Sequence, residues 1–167
     1  IGFLFTFYCI RWELQKTLKE KLIDQQRKIY ADCYRKISVL KRKPEIVFDR
    51  VFYESVLECG SELSLSASKE VISAFVEIER IALDGYERYR DFIAENDPHG
   101  NSGNYEVLLH DEEEIEVYHG TEMDDRIFET KVATYVSENT PSCDTISEKL
   151  SNLLNMMRVD IGNHVIQ

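Results

Sequence analysis

The residues best suited to chemistry lie close together in one acidic segment. His110 and His119 bracket Asp111, Glu112 and Glu114. Imidazole nitrogens and carboxylate oxygens are ligands for divalent cations, so this segment could hold a metal ion and support hydrolysis. Acidic residues at the tip of a turn are, however, far more often solvated than ligating. We keep a metal-dependent enzyme or metal-binding protein as an alternative function and assign no residue as a metal ligand.

No other pattern in the sequence indicates catalysis or a cofactor. The chain contains neither a Gly-x-Gly nor a Walker-type phosphate loop, and no serine occupies a Gly-x-Ser-x-Gly motif. Glu54 and Glu58 share a helical face by their i, i+4 spacing, but no histidine accompanies them. The four cysteines include no Cys-x-x-Cys pair, which predicts reduced, structural thiols in a cytosolic domain. We therefore expect a protein that is not an enzyme and needs no cofactor.

Charge is distributed unevenly along the 167 residues. Residues 11–43 hold eleven Lys/Arg and four Asp/Glu, a net +7, whereas the rest of the chain holds 9 and 27, a net -18; the two sum to the overall -11. A strongly acidic body opposes general nucleic-acid binding, because phosphate contacts need a basic surface. Only the first quarter of the chain is predicted to meet an anionic partner such as a membrane surface.

This basic quarter follows an uncharged, apolar start at residues 1–10. Ten apolar residues are too few to cross a bilayer, which takes about 20 in a helix. We interpret residues 1–12 as the C-terminal part of a truncated transmembrane anchor, because interfacial aromatic residues and an excess of Lys/Arg follow at once. The predicted membrane-interface residues are Tyr8, Arg11, Trp12, Lys16 and Lys19.

The positive-inside rule then predicts a single-pass membrane protein whose domain after Arg11 is cytoplasmic. Two alternatives stay open for the apolar start. Residues 1–10 could pack in the core of a soluble helical binding module, or they could be the remnant of a signal peptide. A signal peptide is expected to end in a cleavage site of small residues, and the sequence that follows residues 1–10 contains none.

Residues 3–43 contain neither glycine nor proline, which predicts one long helix of roughly 60 Å. An apolar stripe recurs along this helix at helical spacing. Its members predicted to associate with another helix are Leu14, Leu18, Leu22, Ile29 and Ile37. Gln25 and Gln26 interrupt the stripe, either as polar residues that fix the register of a helix pair or as part of a solvated face.

Further helical segments make this a mainly α protein, with a helical hairpin or bundle over residues 13–95. Pro44 ends the first helix, a second helix ends at Gly60, and a third begins after Ser66 or Ser68 and continues to about residue 94. Residues 96–143 are expected to form an acidic insertion, as a loop or as a small β-hairpin near 105–118 with a third strand at 126–136.

A final bundle helix is predicted within residues 144–162, before a tail at 163–167. Thr145 and Glu148 have the spacing of a capping box at its start, and Gly162 is expected to end it. Arg158 and Asp160 lie on different sides of this helix, so each is expected to bind a neighbouring helix or to cap a terminus.

Four features together resemble a loose group of small bacterial membrane-tethered helical proteins of uncharacterised function. They are the apolar start, the basic amphipathic helix, the segment Ser68-Lys-Glu-Val-Ile-Ser-Ala-Phe75 and the ending Met157-Arg-Val-Asp-Ile-Gly162. The resemblance covers residues 1–95 and 144–162 and brings no catalytic residues with it.

The expected function is association through the long helix. A four-helix body cannot cover the whole stripe of a helix of roughly 60 Å, and an uncovered stripe indicates a partner. We therefore expect a membrane-tethered cytosolic module that acts by self-association, as a homo-oligomer, or by binding a protein partner. A bacterial membrane response is one setting in which such a module could work.

Overall fold

A computed structural model of the chain describes residues 2–96 and 122–166, with side chains described over residues 10–96 and 126–162. All regular structure within these ranges is helical. The predicted mainly α class is therefore confirmed. The predicted hairpin near residues 105–118 lies outside the described residues.

The first helix, α1, spans Gly2–Ile37 and is shorter than the continuous helix predicted for residues 3–43. The chain tightens into a 3₁₀ helix at Ser38–Lys41 and forms another at Pro44–Phe48. Proline disfavours the helical conformation of the residue before it, and Lys43 accordingly leaves the helical region with φ -139° and ψ 77°. The break at Pro44 was predicted correctly, but the turn before it is 3₁₀ and not α.

Helix α2 spans Arg50–Ser66, and the long helix α3 spans Lys69–Asn96. Asp49 caps α2, because its carboxylate accepts a hydrogen bond of 2.9 Å from the Phe52 N–H. Gly60 was predicted to end α2 but lies inside it. A Cβ at Gly60 would lie 2.9 Å from the Glu79 carboxylate and 3.3 Å from the Phe75 ring, so this glycine serves close packing against α3.

Helix α4, Glu122–Asn139, shows that the strand predicted at residues 126–136 was wrong. Its buried side chains, Phe128 and Val132, are four residues apart, and half-buried Tyr135 follows three residues later. This spacing places one face of a helix against the core. The β-branched residues in the segment do not decide the outcome, because contact with α3 does.

Helix α5, Cys143–Ile166, differs from the prediction at both ends. Ser142, and not Thr145, caps it, because the Ser142 hydroxyl accepts from the Thr145 N–H at 3.2 Å. The helix continues past Gly162 and includes most of the predicted tail. A single glycine costs a helix only about 1 kcal/mol relative to alanine, so the helix can continue through it.

The bundle forms around the C-terminal half of α1. Contacts between α1 and α2 run from Gln26 with Ser66 to Lys36 with Glu58, so the two helices are antiparallel. Helix α3 packs against both α2 and α5. The core between them consists of large apolar side chains that are almost completely buried, among them Ile37, Leu40, Leu63, Phe75, Ile78 and Leu153.

Candidate functional site

Helix α1 consists of two halves in different surroundings. From residue 10 to residue 25 every side chain is exposed except Ile23, which is half-buried. From there on, Gln26, Tyr30, Cys33 and Ile37 are buried at alternating spacings of four and three, which forms the face that meets the bundle. The helix therefore leaves the body at Gln26. Residues 2–25 project beyond it over about 36 Å at 1.5 Å per residue.

A buried polar cluster holds α1 at this exit point. The Gln26 amide donates to the Ser66 carbonyl at 3.0 Å and to the Asp160 carboxylate at 2.9 Å. The Tyr30 hydroxyl donates to the same carboxylate oxygen. Burial and the neighbouring Asp160 raise the pKa of Tyr30 above its ordinary value. The cluster ties α1 to the end of α2 and to α5.

The cluster resolves the two interpretations of the glutamine pair. Gln26 is 7% exposed and belongs to the body, whereas Gln25 is exposed on the surface. Asp160 binds the neighbouring helix α1, which is one of the two roles that the sequence predicted for it. The sequence did not predict that Tyr30 is a polar residue of the core, because a tyrosine at that position also suits a surface.

The predicted association stripe is divided by the exit point. Ile37 is fully buried and Ile29 is half-buried against the core, so both belong to the bundle. Leu14, Leu18 and Leu22, which we call the leucine ridge, are 59%, 60% and 66% exposed. The structure therefore leaves only the N-terminal part of the stripe available to a partner.

The leucine ridge continues the side of α1 that α2 covers in the body. Leu18 and Lys36 are 18 residues apart, which is five full turns at about 3.6 residues per turn, so they lie on the same side. Lys36 binds Glu58 of α2 with a distance of 2.8 Å. Because α2 ends at Ser66, beside Gln26, no described part of the chain extends α2 along the ridge. The ridge is thus exposed because α2 is short.

The predicted membrane-interface residues lie on this same projecting half. Trp12 is 60% exposed, and the Lys16 ammonium lies 5.8 Å from the centroid of its ring, within the range of a cation–π contact. Arg11 and Lys19 are exposed as well. The side chain of Tyr8 lies outside the described residues.

Basic residues surround this half of the helix and do not form one face. Residues 11–28 hold six Lys/Arg and three Asp/Glu, a net +3, which leaves -14 for the rest of the chain. At 100° per residue, Arg11, Lys16, Lys19 and Lys21 point to different sides. Such a distribution suits a helix that meets an anionic surface end-on. None of the helices in the described residues is long and apolar enough to cross a membrane.

Two of the four cysteines belong to the core of the bundle. Cys33 and Cys59 are both fully buried; the hydrogen bond with Cys59, together with burial, raises the pKa of the Cys33 thiol and keeps it protonated. The described ranges contain no group of three or more His, Cys, Asp or Glu side chains that could hold a metal ion. His110, His119 and the acidic residues between them lie outside those ranges.

Helices α3 and α5 border one shallow groove, next to the ion pair between Glu77 and Lys149 at 2.9 Å. The groove is open to solvent along its length and holds neither a histidine nor a cysteine in its lining. The projecting half of α1 is therefore the strongest candidate for the functional site.

Comparison of the chain with protein-family models, curated proteins and solved structures finds no match. No relative therefore supplies a function or a set of site residues. The resemblance to small bacterial membrane-tethered proteins stays a prediction, and the geometry of α1 carries the assignment.

Proposed function

We propose that this protein is a membrane-tethered helical interaction module that acts by association and not by catalysis. In this proposal the projecting half of α1 is the membrane-proximal tether, and the acidic bundle stands in the cytoplasm as the interacting body. The observation that supports it is the exposure of every side chain but one over residues 10–25 of a continuous helix. Helices draw most of their stability from packing, so a projecting helix of this length calls for a covering partner.

The composition of the projecting half favours a membrane as the first part of that cover. The uncharged residues 1–10 lead directly to Arg11 and Trp12, and Trp side chains are enriched at the interface between lipid and water. Lys16, whose ammonium lies over the Trp12 ring, can extend its charge toward headgroups from the same level.

Charge also orients the molecule in this proposal. Basic side chains near an anionic leaflet contribute up to about 1 kcal/mol each, an attraction that salt screens. The residues outside 11–28 carry a net -14 and are repelled by the same surface. The bundle therefore stands away from the membrane at the far end of α1.

Vesicle flotation tests the tether. We expect the chain to float with vesicles that contain phosphatidylserine and to float less at high salt. The variant Arg11→Gln/Lys16→Gln/Lys19→Gln removes three charges at the predicted interface. It is expected to bind these vesicles more weakly, by up to about fivefold for each residue, the equivalent of about 1 kcal/mol.

The matched control is Lys41→Gln/Arg42→Gln/Lys43→Gln. It removes the same number of charges from exposed side chains at the end of the 3₁₀ helix that follows α1 and is expected to bind like the parent. Equal losses in the two variants would mean that net charge, and not the position of α1, controls binding. A chain that stays at the bottom of the gradient under every condition would favour a soluble module with residues 1–10 packed against protein.

A further inference from the structure

Lipid cannot cover the whole of the projecting half. This step rests on the proposed function, which places Trp12 at the interface between lipid and water. At 1.5 Å per residue, Leu18 lies about 9 Å and Leu22 about 15 Å farther along the helix toward the body. These two leucines are therefore beyond the hydrocarbon, yet they are 60% and 66% exposed.

The uncovered leucines have the geometry of a helix-packing surface. Leu14, Leu18 and Leu22 form one i, i+4 row, the type of ridge that packs into the equivalent groove of a second helix. In the body, the same side of α1 is covered by α2, which ends at Ser66. A helix laid on the ridge would thus continue the packing that α2 begins.

We propose that this helix is the α1 of a second copy of the chain, packed parallel to the first through the leucine ridge. Two copies tethered by the same segment in one membrane have the same direction, so their ridges meet at the same level. A two-fold contact places identical surfaces against each other, and an uncharged leucine row is complementary to itself. Exposed Gln25 follows the ridge on the same side and can pair with its counterpart at the edge of the contact.

The crossing geometry keeps the acidic bodies apart. Two i±4 ridges that interdigitate cross at about -50°, which limits the contact to roughly Leu14–Leu22 with its centre near Leu18. At the level of Cys33, 15 residues farther on, the two α1 axes are then separated by about 20 Å. This separation exceeds twice the Debye length of about 8 Å at physiological salt. The charged surfaces of the two bodies lie closer together than these axes, so salt weakens their repulsion but does not remove it.

The small size of the contact predicts where dimers form. Three leucines per copy give a weak interface in free solution, because association must also offset the lost freedom of two molecules. Confinement to one membrane raises the effective concentration of the second copy. Dimers are therefore expected on vesicles at protein concentrations that leave the chain monomeric in dilute detergent.

Site-specific crosslinking tests the second copy. In a Cys9→Ser/Cys143→Ser background, single cysteines replace Leu14, Leu18, Leu22 or Glu20 in the full chain, and the protein on phosphatidylserine vesicles is treated with a short bismaleimide. Glu20 is the matched control, since it is two residues from Leu18 and points about 200° away around the helix. Buried Cys33 and Cys59 remain in every variant, so any crosslinking through them adds the same background to each dimer yield.

We expect the dimer yield to peak at Leu18→Cys, several-fold above Glu20→Cys, with intermediate yields at Leu14→Cys and Leu22→Cys. Equal yields at Leu18→Cys and Glu20→Cys, or a background yield at all ridge positions, would overturn the second copy. The variant Leu18→Ala/Leu22→Ala provides a separate test, because both side chains are exposed and the fold does not need them. It should keep its helical circular dichroism signal and its flotation with vesicles. It should lose the dimer that an amine-reactive crosslinker is expected to trap in the parent chain.

The two proposals fail in different ways. A chain that floats but shows no ridge-specific crosslink retains the tether and contradicts the second copy. A chain that fails to float, yet at high protein concentration crosslinks at Leu18→Cys and not at Glu20→Cys, contradicts the tether and supports the second copy.

Discussion

At the residue scale, two buried tyrosines show how differently similar positions can be used. Tyr30 and Tyr89 are 3% and 4% exposed. The Tyr30 hydroxyl donates to Asp160, whereas the Tyr89 hydroxyl has no hydrogen-bond partner within the described part of the chain. Burial raises the pKa of Tyr89 to about 12. The Tyr30 hydroxyl links α1 to α5, whereas the Tyr89 hydroxyl contributes only the cost of its desolvation.

Removing each hydroxyl should therefore have opposite effects. Tyr30→Phe deprives the buried Asp160 carboxylate of a donor and is expected to lower the free energy of unfolding by about 1–3 kcal/mol. Tyr89→Phe removes an unsatisfied polar atom and is expected to leave stability unchanged or to raise it by up to about 1 kcal/mol. Urea unfolding of both variants measures the difference. A Tyr30→Phe variant as stable as the parent would show that the polar cluster does not hold α1 in place.

The raised pKa values of the two tyrosines predict a loss of stability in alkali. The folded state favours the neutral phenol, so its contribution is present below the ordinary pKa of 10.0 and is lost as the pH rises toward the higher folded values. The free energy of unfolding of the double variant Tyr30→Phe/Tyr89→Phe should fall less than that of the parent between pH 9 and the alkaline limit of unfolding measurements. An unchanged slope would mean that other groups control alkaline unfolding.

At the element scale, two helical glycines occupy contrasting sites. A Cβ at Gly85 of α3 would lie 2.9 Å from the Val47 Cβ and 3.3 Å from the Val47 carbonyl oxygen. The missing side chain therefore lets the 3₁₀ helix at Pro44–Phe48 lie against α3. At Gly162 of α5, a Cβ would meet nothing within 4 Å. The first glycine is required by packing, and the second is not.

The substitutions Gly85→Ala and Gly162→Ala should separate these two situations. Alanine is favoured over glycine by about 1 kcal/mol within a helix, and Gly162→Ala is expected to raise stability by up to that amount. Gly85→Ala is expected to lower stability by about 1–3 kcal/mol, because the close contact with Val47 forces backbone shifts. Thermal unfolding followed by circular dichroism compares both with the parent. A stabilised Gly85→Ala variant would show that the turn can move away from α3 at little cost.

At the scale of the whole molecule, a few ion pairs connect the helices of an acidic protein. Lys149 of α5 binds Glu77 of α3 at 2.9 Å, and Lys36 of α1 binds Glu58 of α2 at 2.8 Å. The hydrogen bond and charge of Lys149, with a smaller effect of Arg80, lower the pKa of Glu77 below its ordinary value of 4.5. Arg35 and Lys36 likewise lower the pKa of Asp32.

These lowered pKa values set the direction of the acid response. A carboxylate with a lowered pKa contributes stability above its ordinary pKa, and the contribution is lost as the pH falls through the folded value. We expect stability to decline below about pH 4.5 and the decline to be smaller in Glu77→Gln. Glu148→Gln, an equal charge change at an exposed neighbour of Lys149, serves as the control. Identical acid transitions in both variants would exclude the pair between α3 and α5 as a contributor.

Local patterns in the sequence determined the class of this protein and several of its boundaries. The 3.6-residue period of apolar side chains predicts helices α1, α2, α3 and α5, and Pro44 predicts the break after the first of them. These features depend on neighbouring residues, so a single sequence contains the information. The helix over residues 122–139 was missed because Phe128, Val132 and Tyr135 gain their helical face from α3, where Tyr135 stacks on Phe92 with ring centroids 4.2 Å apart.

The division of α1 into a packed and a projecting half was decided only by the tertiary structure. Leu18 and Ile29 lie 11 residues apart on the same side of α1, and the helical period does not distinguish them. Ile29 is half-buried and Leu18 is exposed, because α2 ends at Ser66 and because Gln26 holds α1 to an aspartate 134 positions away. Contacts between distant segments depend on the length and placement of whole helices, which local residue patterns do not encode.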